Sequence, residues 1–303
     1  MVDIEGLGTE SRNQATANLD ELSASELVEV MNAEDHKVAP AVKKALPQIA
    51  QAVEAVCAGL KAGGRLIYIG AGTSGRLGVL DAVECPPTFG VDYDLVIGQI
   101  AGGERAFVKA VEGAEDSLEL AAEDLKNLGL TSRDVVVGIA ASGRTPYVIG
   151  GLDYARGNGN KTVSIACNLG AEVSKHADIA IEVDNGPEVL TGSTRLKAGT
   201  SQKMILNMIS TASMVRMGKA YGNLMVDVRP TNEKLVARAQ SIVVTATGAS
   251  PEAAKAALDE ASGHAKTAIV MILAGVSADE ANSRLAAADG FVRKAIANET
   301  NPQ

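Results

Sequence analysis

Apolar positions change their period along the chain, and the changes mark three regions. Val42, Leu46, Ile49, Val53, Val56 and Leu60 follow alternating steps of four and three, which predicts one apolar helical stripe. Pro47 lies inside that stripe, so the pattern predicts either a kink or a helix that begins near it. Ahead of it, Ser23 and Glu26 have the spacing of a capping box, with Leu27, Val30 and Met31 following at helical spacing.

From Gly63 the period gives way to short, continuous, β-branched runs bounded by Gly or polar residues. They are Arg65–Ile69, Asp94–Gly98, Asp134–Ala140, Thr162–Cys167 and Asp178–Val183, with Ala-rich helical stretches between them. Runs of this kind alternating with helices predict an α/β fold, a three-layer αβα sandwich around a parallel sheet of about five strands. In such a sheet ligands bind at the strand C-termini, near a topological switch point. No clear strand follows Val183, the run Ser241–Val244 being ambiguous. A long helix is expected from about Thr200 to Tyr221, and Asp227–Asn232 breaks the pattern. Ser250-Pro251 and the capping box Ser277-x-x-Glu280 then open further helices. The expected division is a helical N-terminal segment (1–62), an α/β domain that holds the sheet (63–225) and a small helical C-terminal module (226–303).

Composition narrows the function. The chain has no Trp, three Phe and five Tyr, so Ala, Val, Ile and Leu must fill the core, and base stacking is an unsuitable binding mode. A net charge of −9 with dispersed Lys and Arg argues against nucleic acid. Cys57, Cys85 and Cys167 form no CxxC pair, so neither a disulfide framework nor a metal site is indicated and a reducing cytoplasm is expected. No apolar run approaches the ~20 residues of a membrane span, and the N-terminus lacks the pattern of a secretion signal.

The strongest chemical signal follows the first run: Gly70-Ala-Gly72-Thr73-Ser74-Gly75-Arg76, then a helical stretch. Glycines permit close backbone approach, the hydroxyls offer donors, and the next helix start favours an anion, so phosphate binding is the natural reading. Residues 70, 72 and 75 also satisfy GxGxxG. The second run, however, ends Val96-Ile-Gly-Gln99 without the ribose-binding acid of a dinucleotide site, and a merely structural tight turn is the other alternative. A similar loop, Ser142-Gly143-Arg144-Thr145-Pro146, follows the third run, where Ser142 and Thr145 either bind ligand or only cap a helix. Two hydroxyl-rich loops at the strand ends of one sheet suit a sugar phosphate. The segment Gly186–Lys203 adds Glu188, Ser193, Thr194, Arg195, Lys197 and Lys203 at a helix mouth. His36, His176 and His264 stand alone, neither serine loop makes GxSxG, and nothing beside Cys85 in the sequence suggests an activated thiol.

The segments GAGTSGRLGVLDAVECPPTFG, AASGRTP and GPEVLTGSTRLKAGTSQK resemble those of the N-acetylmuramic acid 6-phosphate etherases, a family with a sugar-isomerase (SIS) domain, and the similarity runs from about Thr9 to the C-terminal helices. Parts of these motifs are shared with the glucokinase regulatory protein, which carries two such domains. The resemblance implies cleavage of a D-lactyl ether, a homodimer, no cofactor, and two catalytic glutamates on matching positions, Glu84 and Glu115. The two loops and the third segment supply the candidate substrate contacts Gly72, Thr73, Ser74, Gly75, Ser142, Gly143, Arg144, Thr145, Glu188, Ser193, Thr194 and Lys203. A metal-free elimination needs one carboxylic acid and one carboxylate. Pro86-Pro87 is expected to end the helix carrying Glu84, whose place at the negative end of the dipole suits the proton-donating form and leaves Glu115 as base. The sequence leaves open whether a dedicated cation such as Arg195 or Lys197 holds the lactyl carboxylate. Without the resemblance, Glu84 reads as a surface helix residue and Glu115 as a first-turn acid. A sugar-phosphate sensor and an aldose–ketose isomerase are the alternative functions.

Overall fold

Each of the five apolar runs forms a strand. In the computed structural model, which describes residues 7–109, 111–228 and 233–297, the strands are β1 (Leu66–Gly70), β2 (Val96–Ile100), β3 (Val135–Ala140), β4 (Lys161–Ala166) and β5 (Ile179–Glu182). All neighbours pair in parallel in the order β2-β1-β3-β4-β5. Burial explains the continuous runs, since β1 and β3 are buried at every position and β4 at all but its first. The chain passes from β1 outward to β2 and returns across β1 to β3. The switch point therefore falls between β1 and β3, whose ends are level, with Gly70 paired to Ile139.

The chain divides into two compact units. The first runs to Val83 and resumes from Tyr93 to Ser210; the second comprises Glu84–Asp92 and the chain from Thr211 onward. In the first unit, helices α1 (Ala24–Asp35), α2 (Val38–Lys43) and α3 (Leu46–Lys61) precede the sheet. The capping box of α1 is complete, with the Ser23 backbone N–H donating to Glu26 at 2.8 Å. The predicted stripe is divided at Lys44-Ala45, and Pro47 enters in the first turn of α3, where its missing N–H breaks no helical bond. Between strands lie α4 (Gly72–Phe89), α5 (Glu104–Val108), α6 (Leu120–Asn127) and α7 (Pro146–Gly157), and α8 (Lys197–Arg216) follows β5. Helix α4 packs so closely on β2 that a Cβ on Gly98 would lie 2.5 Å from Val79 Cα. Tyr68 and Tyr147, the largest fully buried side chains, keep their hydroxyls satisfied on Asp81 (2.9 Å) and Asp124 (2.7 Å).

The second unit has its own core, which includes Ile242, Val243, Leu258, Ile269 and Val270. These come from α9 (Glu233–Thr247), α10 (Pro251–Glu260) and α11 (Ala265–Ala274), followed by α12 (Ala278–Ala287) and α13 (Val292–Ile296). The ambiguous run Ser241–Val244 is thus helical.

Three expectations need correction. The long helix stops at Arg216, and a small hairpin, β6 (Ala220–Tyr221) with β7 (Leu224–Met225), follows it. Strands of two residues carry no readable alternation. Helix α4 runs through Pro86 and Pro87 to Phe89 rather than ending before them. Proline's fixed φ is helical, but each ring removes a donor and crowds the carbonyl four residues earlier, leaving the carbonyls of Ala82 and Val83 without their i+4 partners. Glu84 is therefore not at the helix C-terminus, and the dipole argument that made it the acid falls. Of the predicted break Asp227–Asn232, residues 229–232 lie outside the described residues.

Candidate active site

The β1 loop turns at Gly72, whose φ of +53° favours glycine, and passes directly into α4. Gly75 lies so close to the strand end that a Cβ would stand 2.5 Å from Gly70 O. Thr73 is half-buried and Ser74 buried, so their hydroxyls sit in the first turn of an 18-residue helix, where backbone N–H groups have no helical acceptor. Ser74 Oγ donates to Gln202 Oε1 at 3.0 Å. Arg76 is committed elsewhere, donating to the carbonyls of Ala106 and Phe107, both at 2.8 Å.

The β3 loop turns at Gly143 (φ +76°). Asn168, which follows β4, braces it by donating to Ser142 O at 3.1 Å. Thr145 occupies the N-cap of α7, yet its side chain makes no capping bond. Capping therefore does not account for that hydroxyl. Arg144 is half-buried.

The third segment approaches the first loop, because a Cβ on Gly199 would lie 3.6 Å from Thr73 Cγ2. Glu188 is buried and accepts the N–H groups of Lys197 (3.0 Å) and Ala198 (2.9 Å), so its carboxylate caps α8. Lys197 does not fit the role of a lactyl-carboxylate cation. Its ammonium is buried and bonded to Glu34 at 2.6 Å. Burial alone would raise the Glu34 carboxyl, but hydrogen bonds from Lys197 and Lys37 outweigh it and lower it from 4.5 to about 2. Ser193 and Thr194 are half-buried and Arg195 is exposed. Asn207, its amide turned so that both ends are satisfied, accepts from the Lys203 ammonium at 2.8 Å and donates to Asp81 Oδ1 at 3.1 Å. Burial raises the Asp81 carboxyl, against hydrogen bonds from Tyr68 and Ser210 and the charge of Lys203.

Glu115 is exposed in a 3-10 turn, Ala114–Asp116, opened by Gly113 in the left-handed region. Ala114 packs in the same core cluster as Tyr147 and Val148 of α7, which holds the turn beside the helix that follows the second loop. Glu84 is exposed on the part of α4 that belongs to the second unit.

Sequence reasoning missed the polar framework behind these groups. Thr9 and Asn168 exchange two hydrogen bonds, at 3.2 and 3.0 Å, while Asn13 and Thr16 donate to the carbonyls of Pro187 and Val189. The N-terminal strap is thereby fastened to the segments after β4 and β5. Gln202 and Asn185 are buried amides, the latter accepting from Ser201 at 2.6 Å. Long-range pairs of this kind have no local sequence signal. Burial pushes the Cys167 thiol up to about 12, with the Glu188 charge adding to it, so that thiol is no nucleophile. A cleft of about 660 Å³ lies at the opposite strand ends, lined by residues that include Arg133, Asp134, Lys161 and Asp178. It contains none of the predicted site residues.

Two glycine-hydroxyl loops at the switch point of a 2-1-3-4-5 parallel sheet place the chain in the SIS class of α/β folds. The SIS domain family matches residues 114–212, and the glucokinase regulatory protein N-terminal SIS domain matches residues 48–156. Among solved structures, a phosphoheptose isomerase from Neisseria gonorrhoeae shares the fold at a TM-score of 0.50 and 17% identity, covering 63% of this chain and 98% of that one. The particular family follows from closer relatives. An N-acetylmuramic acid 6-phosphate etherase of Exiguobacterium sp. is 63% identical over 97% of this chain and its own full length. One of Mycolicibacterium smegmatis is 63% identical over 97% of this chain and 99% of its own. The chain belongs to the N-acetylmuramic acid 6-phosphate etherases.

Proposed function

We propose that the chain cleaves the D-lactyl ether of N-acetylmuramic acid 6-phosphate, giving N-acetylglucosamine 6-phosphate and D-lactate. The observation that carries this reading on the structure's side is the meeting of the Thr73-Ser74 turn with the start of α8, beside a second loop whose Thr145 hydroxyl no cap consumes. Hydroxyls and open helix N–H groups there suit a phosphate monoester. Thr73, Ser74, Gly75, Ser142, Gly143 and Thr145 take the phosphate and sugar hydroxyls, with Arg144, Ser193, Thr194 and Lys203 around them. Glu188 acts by capping α8.

The chemistry follows from the substrate. Ring opening exposes an aldehyde at C1, which makes the C2 proton acidic. A carboxylate removes that proton, the electron pair forms the C2–C3 double bond, and the C3–O bond breaks as a carboxylic acid protonates the departing lactate oxygen. Water then adds to the unsaturated aldehyde, its oxygen to C3 and a proton to C2. Glu84 and Glu115 divide the roles of acid and base.

We further propose that the protein works as a homodimer in the cytoplasm. In the first unit Phe107, Val108, Val111 and Leu118, which flank Glu115 in the sequence, are exposed, and apolar side chains of this kind suit burial against a second copy. Sedimentation of the purified chain at the mass of a monomer would refute the dimer. The activity is tested by incubating the protein with N-acetylmuramic acid 6-phosphate and assaying D-lactate. Binding of the phosphosugar without lactate would leave a sensor, and its conversion to a ketose would leave an isomerase.

A further inference from the structure

Gln202 is fully buried on α8, and its two amide ends are unequally used. Its Oε1 accepts the Ser74 hydroxyl proton at 3.0 Å, while its Nε2 has no hydrogen-bond partner among the described residues. Ser74 has a single proton. As long as that proton points at Gln202, the hydroxyl offers only lone pairs to a phosphate, which is the wrong polarity for an anion that accepts hydrogen bonds. A half-turn about the terminal torsion of Gln202 exchanges two groups of nearly equal size. Nε2 then donates to Ser74 Oγ, and the Ser74 proton is released toward a phosphate oxygen. The same rotation relieves the orphaned donor, and a buried acceptor left short of partners is the commoner and milder defect.

We propose that Gln202 is a positioning residue for phosphate recognition, whose buried amide takes the Ser74 proton in the empty site and reverses to donate to Ser74 when phosphate arrives. Only a residue that can both accept and donate at the same place can serve Ser74 in the two states. Glutamine satisfies this; ionised glutamate can only accept, and methionine can do neither. The inference rests on the reading that Ser74 holds the substrate phosphate.

The test measures KM and kcat for N-acetylmuramic acid 6-phosphate, and the inhibition constant of inorganic phosphate, for the full chain and for Gln202→Glu, Gln202→Met, Ser74→Ala and the double variant Ser74→Ala/Gln202→Met. Gln202→Glu locks the Ser74 proton, so KM and the phosphate inhibition constant should rise on the order of 10-fold, the worth of one hydrogen bond to a charged group, while kcat stays within about two-fold. Gln202→Met should weaken phosphate by roughly 3- to 10-fold in the wild-type background and by less than about two-fold in the Ser74→Ala background, because Gln202 acts only through Ser74. If the buried charge of Gln202→Glu prevents folding, the methionine pair carries the test alone. Wild-type phosphate affinity in Gln202→Met, or losses that multiply in the double variant, overturns the proposal. An unchanged inhibition constant in Ser74→Ala alone overturns instead the reading of Ser74 as the phosphate ligand.

Discussion

Removing the Lys197 ammonium while keeping its length, as in Lys197→Met, should destabilise the first unit by about 3 kcal/mol. The pair it breaks is buried on both sides, with side-chain exposures of 1% for Lys197 and 5% for Glu34. Deleting one member of such a pair costs ~3–5 kcal/mol, because a charge is left without its partner in a poorly solvated place. Lys37 still reaches Glu34 at 2.5 Å from an exposed position, which places the loss at the lower end. Titration points the same way, since hydrogen bonds from Lys197 and Lys37 together lower the Glu34 carboxyl from 4.5 to about 2. The sign follows from the direction of that change. A carboxylate held below its unfolded value contributes fully above about pH 4.5, and the contribution drains away as pH falls toward 2. Urea unfolding followed by circular dichroism should therefore show Lys197→Met far less stable than wild type at pH 7, with the gap closing near pH 2.5. Pairing the change with Glu34→Leu should recover most of the loss, as apolar replacement of a whole buried pair does. Stability of Lys197→Met within 1 kcal/mol of wild type at pH 7, or an equal gap at both pH values, would refute the reasoning.

Glu84→Gln and Glu115→Gln should each lower D-lactate production by at least ~100-fold, the scale of general acid–base catalysis, with phosphosugar affinity nearly unchanged; near-normal turnover in either removes that residue from the mechanism. Gly98→Ala should cost ~1–3 kcal/mol in thermal or urea unfolding, because the new methyl would stand 2.5 Å from Val79 Cα and must push α4 off the sheet. If substrate is held mainly by hydroxyls and N–H groups, KM should change less than about three-fold between low salt and roughly 0.5 M inert salt, whereas binding led by exposed cations would weaken steeply.

The strands were legible because both faces of the central ones are buried. That forces continuous apolar runs, and each of the five appears within two residues of its expected start. The two loops were legible for a related reason, since a chain leaving a parallel sheet at its switch point needs glycine at Gly72 and Gly143, both of positive φ. What stayed hidden depends on contacts between distant residues. Nothing local distinguishes Lys197, buried against Glu34, from the exposed Arg195 two residues earlier. Pro86-Pro87 misled because proline is read as a breaker, whereas near the end of α4 the helix continues to Phe89 without the two N–H donors that Ala82 and Val83 would have accepted. Gln202 lies in a segment singled out for its hydroxyls and cations, so a neutral amide drew no attention there.

The fate of the cations changes how an acidic chain can hold an anionic substrate. With a net charge of −9 the chain has no overall attraction for a phosphosugar, which leaves recruitment to local groups. Five cations stood near the expected site, yet three of them have structural work. Arg76 fastens the α5 segment through two carbonyls, Lys197 is consumed by Glu34, and the Lys203 ammonium is tied through Asn207 toward Asp81. What the strand ends do supply is a set of oriented neutral donors: hydroxyls in helical first turns, open N–H groups of α4, and an amide that can serve Ser74 in either sense. Such donors cost less to bury than unpaired charges and fix direction as well as attraction, so they can place the sugar carbons while gripping the phosphate. The proposed mechanism, with two carboxyl groups as acid and base, also favours this economy of positive charge. A dense cation cluster would lower both carboxyl groups together, and one of them must keep its proton until the lactate leaves.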